Sequence, residues 1–276
     1  MDAHGASERS LSFGDGPRAP RTAAGGSGGA ARPTMSPVPT DAQPRIRRDV
    51  VSYVRRSARM NPSQQRAWDG LRERWVVELP AGERTTSVAG HARLDPLAVF
   101  GRPGPLLVEI GSGAGEVVAT LAARRPEANL LAFEVFEPAV ASTLSRLERT
   151  GVDNVRLVVA DGSQAVSAAL PEGSITELWT FFPDPWHKAR HHKRRLVSPG
   201  FAAMVARALV PGGVWRLATD WDDYAEHAAA VLAAEPGLVP VHDGPAPRWE
   251  ERPLTRYEER GLAAGRTITD LAFRRP

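Results

Sequence analysis

Short apolar runs alternate with longer helix-compatible segments from Pro105 onward, and this alternation constrains the fold more than any other feature. Five runs predict strands at Leu106–Ile110, Leu130–Phe133, Val155–Val159, Ile175–Phe182 and Gly213–Ala218. Helices between such strands imply right-handed crossovers and a parallel sheet covered on both faces. Thr267–Phe273 predicts a late strand, a candidate antiparallel edge partner. The pattern therefore predicts an α/β chain with a Rossmann-like, doubly wound, mostly parallel sheet.

The composition changes upstream of this pattern. Residues 1–44 are rich in Gly, Ala, Ser, Pro and Arg, and such a segment buries too little apolar surface to offset its ordering entropy. We predict a disordered arm there and a folded domain over residues 45–276. Within that domain, Asn61-Pro62 predicts the N-cap and first turn of a helix that runs toward Trp75.

Composition also narrows the class of protein. No apolar run approaches the roughly 18 residues of a membrane span, and the N-terminus lacks an apolar signal core, so we expect a cytoplasmic protein. The absence of cysteine excludes disulfides, thiolate nucleophiles and cysteine-based zinc sites. Net charge is only +3, but both lysines of the chain, Lys188 and Lys193, lie in one short segment.

That segment reads FFPDPWHKARHHKRRL and spans residues 181–196. Asp184 stands between two prolines, which favour extended backbone at Phe182 and Asp184, and Trp186 follows. Five formal positive charges and three histidines come next. Two interpretations are open at this point: a catalytic corner beside a polyanion site, or a proline turn that leads into a solvated basic helix.

Acidic residues lie at or near the carboxyl ends of the predicted strands. They are Glu109, Glu134, Asp161, Asp184 and Asp220. Ligands of open α/β sheets bind at the carboxyl ends of the strands, so these side chains predict a binding site at that edge.

A glycine loop after the first strand, Gly111 to Gly115, indicates what binds there. A dinucleotide fingerprint places its third glycine where this chain has Glu116, and an acid at a helix N-terminus opposes a pyrophosphate. S-adenosylmethionine carries no phosphate and fits better. We expect Gly111 and Gly113 to let the backbone approach it, Glu134 to accept from its ribose hydroxyls, and Asp161 to accept from its adenine amino group.

Several motifs together resemble the bacterial tRNA (guanine-N7-)-methyltransferase family of class I methyltransferases. These motifs are LLVEIGSGAGE, NVRLVVADGS, FFPDPWHKARHHKRRL, GGVWRLATDWDDYAEH and RPLTRYEERGLAAGRTITDLAF, with SYVRRSARM upstream. The resemblance covers residues 45–276. The glycine loop is shared by many methyltransferases, whereas the PDPW segment and the TRYEERG segment are specific.

The resemblance implies roles residue by residue. Cofactor positions fall on Glu109, Glu134, Asp161 and Asp184, and the catalytic acid on Asp184. Substrate contacts fall on Lys188, Asp220, Thr255, Arg256, Tyr257 and Glu258. RNA contacts fall on Arg190, His191, His192, Lys193, Arg194 and Arg195. Phe136 stands where the family often has a histidine, and Arg256-Tyr257 replaces a frequent Lys-Phe pair. The implied cofactor is S-adenosyl-L-methionine and the implied partner is tRNA, with no membrane, no obligate protein partner, and a monomer or homodimer.

Some residues keep a structural alternative. Thr255 and Glu258 have the spacing of a helix capping box, which competes with substrate contact. Trp186 either stacks on the target base or packs against the sheet. The histidines of the basic tract lack acids or cysteines at metal-ligand spacing, so we predict no metal site.

The expected reaction is methyl transfer to N7 of a variable-loop guanine in tRNA. N7 carries no proton, so Asp184 is predicted to orient the base and stabilise developing positive charge, without acting as a general base. The cationic tract is predicted to dock tRNA. Two alternatives remain open: an adenine-N6-type amino-group methyltransferase, and a non-catalytic RNA-binding protein on the same scaffold.

Overall fold

The computed structural model of this protein describes residues 59–83 and 86–276. The predicted arm over residues 1–44, its boundary with the folded domain and nearly all of the segment Arg45–Met60 lie outside the described residues. No helix among the described residues is long and apolar enough to cross a membrane.

Strands and helices alternate along the described chain. The strands are β1 Leu106–Ile110, β2 Asn129–Glu134, β3 Val155–Val159, β4 Ile175–Phe181, β5 Leu209–Thr219, β6 Val239–Pro240 and β7 Thr269–Arg274. The helices are α1 Pro62–Trp75, α2 Pro96–Phe100, α3 Glu116–Arg124, α4 Glu137–Thr150, α5 Gly162–Ala169, α6 Pro199–Ala208, α7 Asp222–Ala233 and α8 Arg256–Ala263, with a 3-10 helix at Ala189–Arg194. The five predicted strands of the alternating pattern are all confirmed.

The strands form one sheet in the order β3-β2-β1-β4-β5-β7-β6. Strands β1 to β5 pair in parallel, and β7 runs antiparallel to both β5 and β6. The predicted mostly parallel α/β sheet is confirmed. The late strand is antiparallel as expected, but it is not the edge, because the two-residue strand β6 pairs along its outer side.

Both faces of the sheet are buried under helices. Successive strand residues point to opposite faces, so neighbouring residues of one strand join different hydrophobic clusters. Val108 belongs to the hydrophobic cluster that includes Val166 of α5 and Val205 of α6. Its neighbour Leu107 belongs to the other cluster, with Leu121 of α3 and Leu144 of α4. The crossover helices therefore cover the sheet on both sides, as the alternation predicts.

The first helix begins where the sequence predicts. Asn61 Oδ1 accepts from the Gln64 N–H at 2.9 Å, and Gln64 Oε1 accepts from the Asn61 N–H at 3.0 Å. This reciprocal capping box satisfies two donors at the helix end, and Pro62 occupies the first turn, where its missing N–H costs nothing.

Strand order reverses between β1 and β4. The chain moves outward from β1 to β2 and β3 on one side, and from β4 to β5 on the other side. Connections leaving the two strands diverge there and open a crevice at their carboxyl ends. The fold thus predicts where ligands bind.

Candidate active site

A cavity of about 320 Å³ opens at this reversal point. The predicted cofactor residues in its wall are Gly111, Gly113, Glu134, Asp161 and Asp184, and α8 adds Arg256 and Tyr257. The described residues that line it do not include Glu109, Lys188, Asp220, Thr255 or Glu258. The structure thus brings together most of the predicted cofactor site and part of the predicted substrate site.

The glycine loop after β1 needs its glycines. Gly111, Gly113 and Gly115 have φ of +79°, +54° and +75°, a region that L-residues rarely adopt. A Cβ at Gly115 would also stand 2.7 Å from Oγ1 of Thr143 on α4. The loop therefore presents bare backbone to the cavity and packs tightly against α4.

Glu134, at the end of β2, closes this loop. Its Oε2 accepts from the Gly113 N–H at 2.8 Å, and its Oε1 accepts from the N–H groups of Val135 and Phe136 at 2.8 and 3.0 Å. Three backbone donors thus hold the carboxylate in the cavity wall.

Glu109 is buried, with 4% of its surface exposed, on the side of β1 that faces α3. Burial raises the pKa of its carboxyl to about 8, with a further contribution from the Glu134 charge. Among the described residues, its Oε2 has no hydrogen-bond partner. Glu109 is therefore mostly protonated at neutral pH, and a cation placed nearby would favour its ionisation.

Asp161 follows β3 and forms the N-cap of α5. Its Oδ1 accepts from the Ser163 N–H at 3.0 Å, the Ser163 hydroxyl at 2.7 Å and the Gln164 N–H at 3.4 Å. This residue consequently has a structural role besides its place in the cavity wall.

The chain turns sharply around Asp184. Phe182 and Trp186 have φ of +52° and +49°, in the left-handed region where bulky residues are strained. The expectation of extended backbone at Phe182 is wrong, because tertiary contacts outweigh the preference imposed by Pro183. The Phe182 N–H donates to the Ala218 carbonyl at 2.7 Å, and the Arg252 guanidinium carbon lies 5.6 Å from its ring centroid.

Residues 188–195, the basic tract, follow as a 3-10 helix and its flanks. Lys188, Arg190 and Lys193 are exposed, whereas His191, His192 and Arg194 are half-buried. The tract borders a second cavity of about 550 Å³, which shares Asp161 and Leu196 with the first. A solvated basic helix thus describes only part of this segment.

Arg195 differs from the rest of the tract because it is buried, with 4% exposure. Its guanidinium pairs with the Asp223 carboxylate and donates to the Pro185 carbonyl at 3.1 Å. The resemblance implies an RNA contact here, but the structure buries this side chain and pairs it with groups of the protein itself.

Trp186 is half-buried and contacts the tract itself. Its ring centroid lies 5.8 Å from that of His191 and 4.8 Å from the guanidinium carbon of Arg194. The indole therefore joins the Asp184 corner to the cationic surface.

The TRYE segment begins α8. Thr255 is the N-cap, and its hydroxyl accepts from the Glu258 N–H at 3.2 Å, which confirms the capping alternative. Glu258 is 1% exposed and pairs with Arg248 at 2.6 Å and Arg252 at 3.2 Å. These two residues hold α8 in place, and the pKa of Glu258 is lowered by its arginine partners despite burial.

Two contacts anchor α8 beside the cavity. Glu116 Oε2 accepts from the Arg256 N–H at 3.0 Å, so the acid at the start of α3 fixes the start of α8. Asp220 pairs with Arg266 at 2.8 Å, and a Cβ at Gly261 would lie 2.9 Å from that of Asp220. The predicted substrate residue Asp220 therefore packs directly under α8.

Gln64 lines the cavity, although no sequence motif marks it as a site residue. Its Nε2 donates to the Pro138 carbonyl at 2.8 Å and to the Ser142 hydroxyl at 3.1 Å, which joins α1 to α4 at the cavity wall. The capping box at Asn61 places Gln64 on the first turn of α1, but the contact with α4 spans 74 residues. Nothing local in the sequence points to it.

Comparisons with known proteins agree with this geometry. A family model described as "Putative methyltransferase" matches residues 103–271. A tRNA (guanine-N(7)-)-methyltransferase of Cutibacterium acnes is 54% identical over 234 residues, covering 84% of this chain and 85% of that protein. One from a Nocardioides species is 49% identical over 229 residues, with 83% and 88% covered. In fold, the chain is similar to the 16S rRNA methyltransferase KamB, with a TM-score of 0.50, 16% identity, and 71% and 98% covered.

Proposed function

The chain belongs to the tRNA (guanine-N7-)-methyltransferase family, and from that premise we propose how its described residues carry out the reaction. The enzyme transfers a methyl group from S-adenosylmethionine to N7 of guanine in tRNA. The finer proposals concern the residues that hold each substrate, the role of Asp184, and a variable-loop guanine as the target. We also propose that it acts in the cytoplasm, as a monomer or homodimer.

The first cavity fits S-adenosylmethionine in size and chemistry. Its 320 Å³ is within the range of small-molecule sites, and positive-φ glycines leave backbone open to a ligand. Glu134 and Asp161 offer carboxylates to the ribose and adenine. Glu109 lies outside this lining, and its buried Oε2, which has no hydrogen-bond partner among the described residues, favours a cationic group nearby. Bound there, S-adenosylmethionine supplies an electrophilic methyl group.

Asp184 is proposed to orient the guanine and to stabilise the positive charge that develops on it. N7 is an unprotonated acceptor on the Hoogsteen edge, so its methylation requires alignment and no proton removal. A carboxylate in the same cavity wall as the glycine loop can accept from guanine N–H groups and stabilise the positive charge that develops on the ring. This shared wall is the observation that carries the proposal.

The exposed part of the basic tract is proposed to hold the tRNA. Lys188, Arg190 and Lys193 are exposed and can neutralise phosphates, and Lys193 also lines the second cavity. Arg256 and Tyr257 line the first cavity together with Asp184. A guanine held in this cavity would meet Asp184, with its RNA backbone on the tract.

Methylation of unmodified tRNA with labelled S-adenosylmethionine, followed by nucleoside analysis, tests this function. We expect label in N7-methylguanosine at the variable loop. Label in N6-methyladenosine would support the amino-group alternative, and binding without label would support the non-catalytic one. Asp184→Ala should abolish turnover while tRNA affinity stays close to wild type, and wild-type turnover in this variant would refute its role.

A further inference from the structure

Arg195 ends the basic tract but lies in the interior. It is 4% exposed, whereas Arg190 and Lys193 are exposed. We propose that Arg195 is a positioning residue that holds the Asp184 corner in its active shape, and that it does not dock tRNA. This inference rests on the proposed function, because it assigns the effect of Arg195 to the placement of Asp184.

The first contact of Arg195 is with the corner itself. Its Nε donates to the carbonyl of Pro185 at 3.1 Å, and Pro185 lies between Asp184 and Trp186. Trp186 has a φ of +49°, and Phe182 on the other side of the corner has +52°. Strained backbone of this kind persists only where surrounding contacts hold it, so this carbonyl is a point where support matters.

The remaining nitrogens of Arg195 reach the first turn of α7. Nη1 donates to the Asp223 carbonyl at 3.4 Å, and Nη2 donates to the Asp223 carboxylate. The hydrogen bond from Arg195 lowers the pKa of the Asp223 carboxyl below its usual value. One guanidinium therefore ties the corner to a helix 28 residues further along the chain.

Buried neighbours keep the guanidinium in this position. Its central carbon lies 5.3 Å from the ring centroid of Tyr224, which is fully buried. The Tyr224 hydroxyl accepts from the Val197 N–H at 3.3 Å, two residues after Arg195. Both ends of this stretch are thus fixed to α7.

A second contact docks the corner on the same junction. The rings of His187 and Trp221 lie 4.0 Å apart between centroids, and Trp221 is the N-cap of α7. Asp220, which the resemblance implies as a substrate contact, immediately precedes Trp221. The arrangement relates the position of Asp184 to that of Asp220 through the start of α7.

This geometry needs a guanidinium and not only a positive charge. Arg195 reaches the Pro185 carbonyl, the Asp223 carbonyl and the Asp223 carboxylate from one planar group. A lysine ammonium keeps the charge but cannot span these acceptors in the same way. Conversely, the guanidinium would have to give up these bonds to reach a phosphate, and the Pro185 carbonyl and the Asp223 carboxylate would lose this donor.

Arg195→Lys therefore separates the two roles, because it preserves charge. We would measure kcat, the KM for tRNA, and the salt dependence of tRNA binding at saturating S-adenosylmethionine. A positioning role predicts that kcat falls about ten- to a hundredfold, as for a misplaced reacting group, with an unchanged salt slope. Asp223→Asn, at a side chain 58% exposed, should lower kcat in the same direction without disturbing the core.

Two controls bracket this experiment. Lys193→Gln should raise the KM for tRNA and lower the salt slope by about one, as loss of a docking cation does. Arg207→Lys removes an arginine from an exposed pair with Glu172 and should behave as wild type. Thermal unfolding of each variant identifies any loss of fold, and in that case Asp223→Asn decides.

Near wild-type kcat in both Arg195→Lys and Asp223→Asn would overturn the inference. A further variant, Arg195→Gln, removes the charge. A salt slope that falls in this variant as it does in Lys193→Gln would also overturn the inference. Asp184→Ala, measured alongside, keeps the two ideas apart. If that variant retains turnover, the proposed role of Asp184 fails. If it loses turnover while Arg195→Lys does not, only the positioning role fails.

Discussion

Glu116 accepts a hydrogen bond from the backbone N–H of Arg256 at 3.0 Å, across 140 residues of sequence. The acid that disfavours a pyrophosphate at the start of α3 thus also fixes the helix that supplies Arg256 and Tyr257 to the cavity. One side chain therefore serves both the choice of cofactor and the construction of its site.

Glu116→Ala should weaken S-adenosylmethionine binding, because α8 loses its anchor on the glycine loop. A hydrogen bond to a charged group contributes about 1.5–3 kcal/mol, so we expect an affinity loss of about tenfold or more by calorimetry. Glu137→Ala is the control, since Glu137 is also an acid at the first position of a helix but is exposed, whereas Glu116 is half-buried. Equal affinities in the two variants would contradict the anchoring role.

Glu109 should make the stability of the cofactor-free protein depend on pH. Its pKa is raised from 4.5 to about 8, so between these values the folded state keeps a proton that the unfolded state has lost. The contribution of Glu109 to the free energy of unfolding is fully present below pH 4.5. It falls by about 1.4 kcal/mol per pH unit from there to pH 8. Glu109→Gln should remove this slope in denaturant titrations, and parallel curves for both proteins would contradict the assignment.

The same carboxyl should couple cofactor binding to proton release. A cationic ligand near Glu109 favours its ionised form, so S-adenosylmethionine should bind more tightly as pH rises toward 8. Calorimetry in buffers of different ionisation enthalpy measures the released proton directly. Glu109→Gln is expected to bind without release, whereas an identical buffer dependence in that variant would assign the proton elsewhere.

Gly261→Ala should destabilise the protein, because its Cβ would lie 2.9 Å from that of Asp220 and 3.1 Å from Ile268 Cδ1. Overpacking of this kind costs about 1–3 kcal/mol, and it should also disturb Asp220 and hence turnover. Gly70→Ala is the control, since no heavy atom lies within 4 Å of its Cβ position in α1. That change should stabilise by up to about 1 kcal/mol, and a similar gain at Gly261 would refute the close packing.

Replacing Arg190 and Lys193 together with glutamine should lower the salt slope of tRNA binding by about two. Both side chains are exposed at the edge where the strands end. Arg149→Gln with Arg207→Gln removes the same charge from the last turns of α4 and α6, at the opposite edge of the sheet. A slope that changes equally in both double variants would mean that net charge, and not the tract, governs docking.

The sheet was predictable from the sequence because its signals are local. Apolar runs mark the strands, and an acid at or near the end of each run, from Glu109 to Asp184, marks the edge that we propose binds ligands. Glu134, Asp161 and Asp184 reach one cavity because parallel strands end at the same edge.

The partners of the buried charged residues were not predictable, because they depend on contacts distant in sequence. Arg195 looks like its solvated neighbours until α7 places Asp223 against it, and Glu258 looks exposed until Arg248 and Arg252 enclose it. The backbone conformation of Phe182 was unpredictable for the same reason. Its hydrogen bond to the Ala218 carbonyl outweighs the preference for extended backbone before a proline.

The order in which the cavity wall is synthesised has a consequence for biogenesis. A nascent chain that has emerged only through α7 carries the glycine loop, Glu134, Asp161 and Asp184, but neither Arg256 nor Tyr257. It also lacks β7, which pairs with residues 214–219 of β5 and carries Asp270, an ion-pair partner of Arg252. On the proposed assignment, the wall of the methyl-donor site is therefore complete only once α8 has been synthesised.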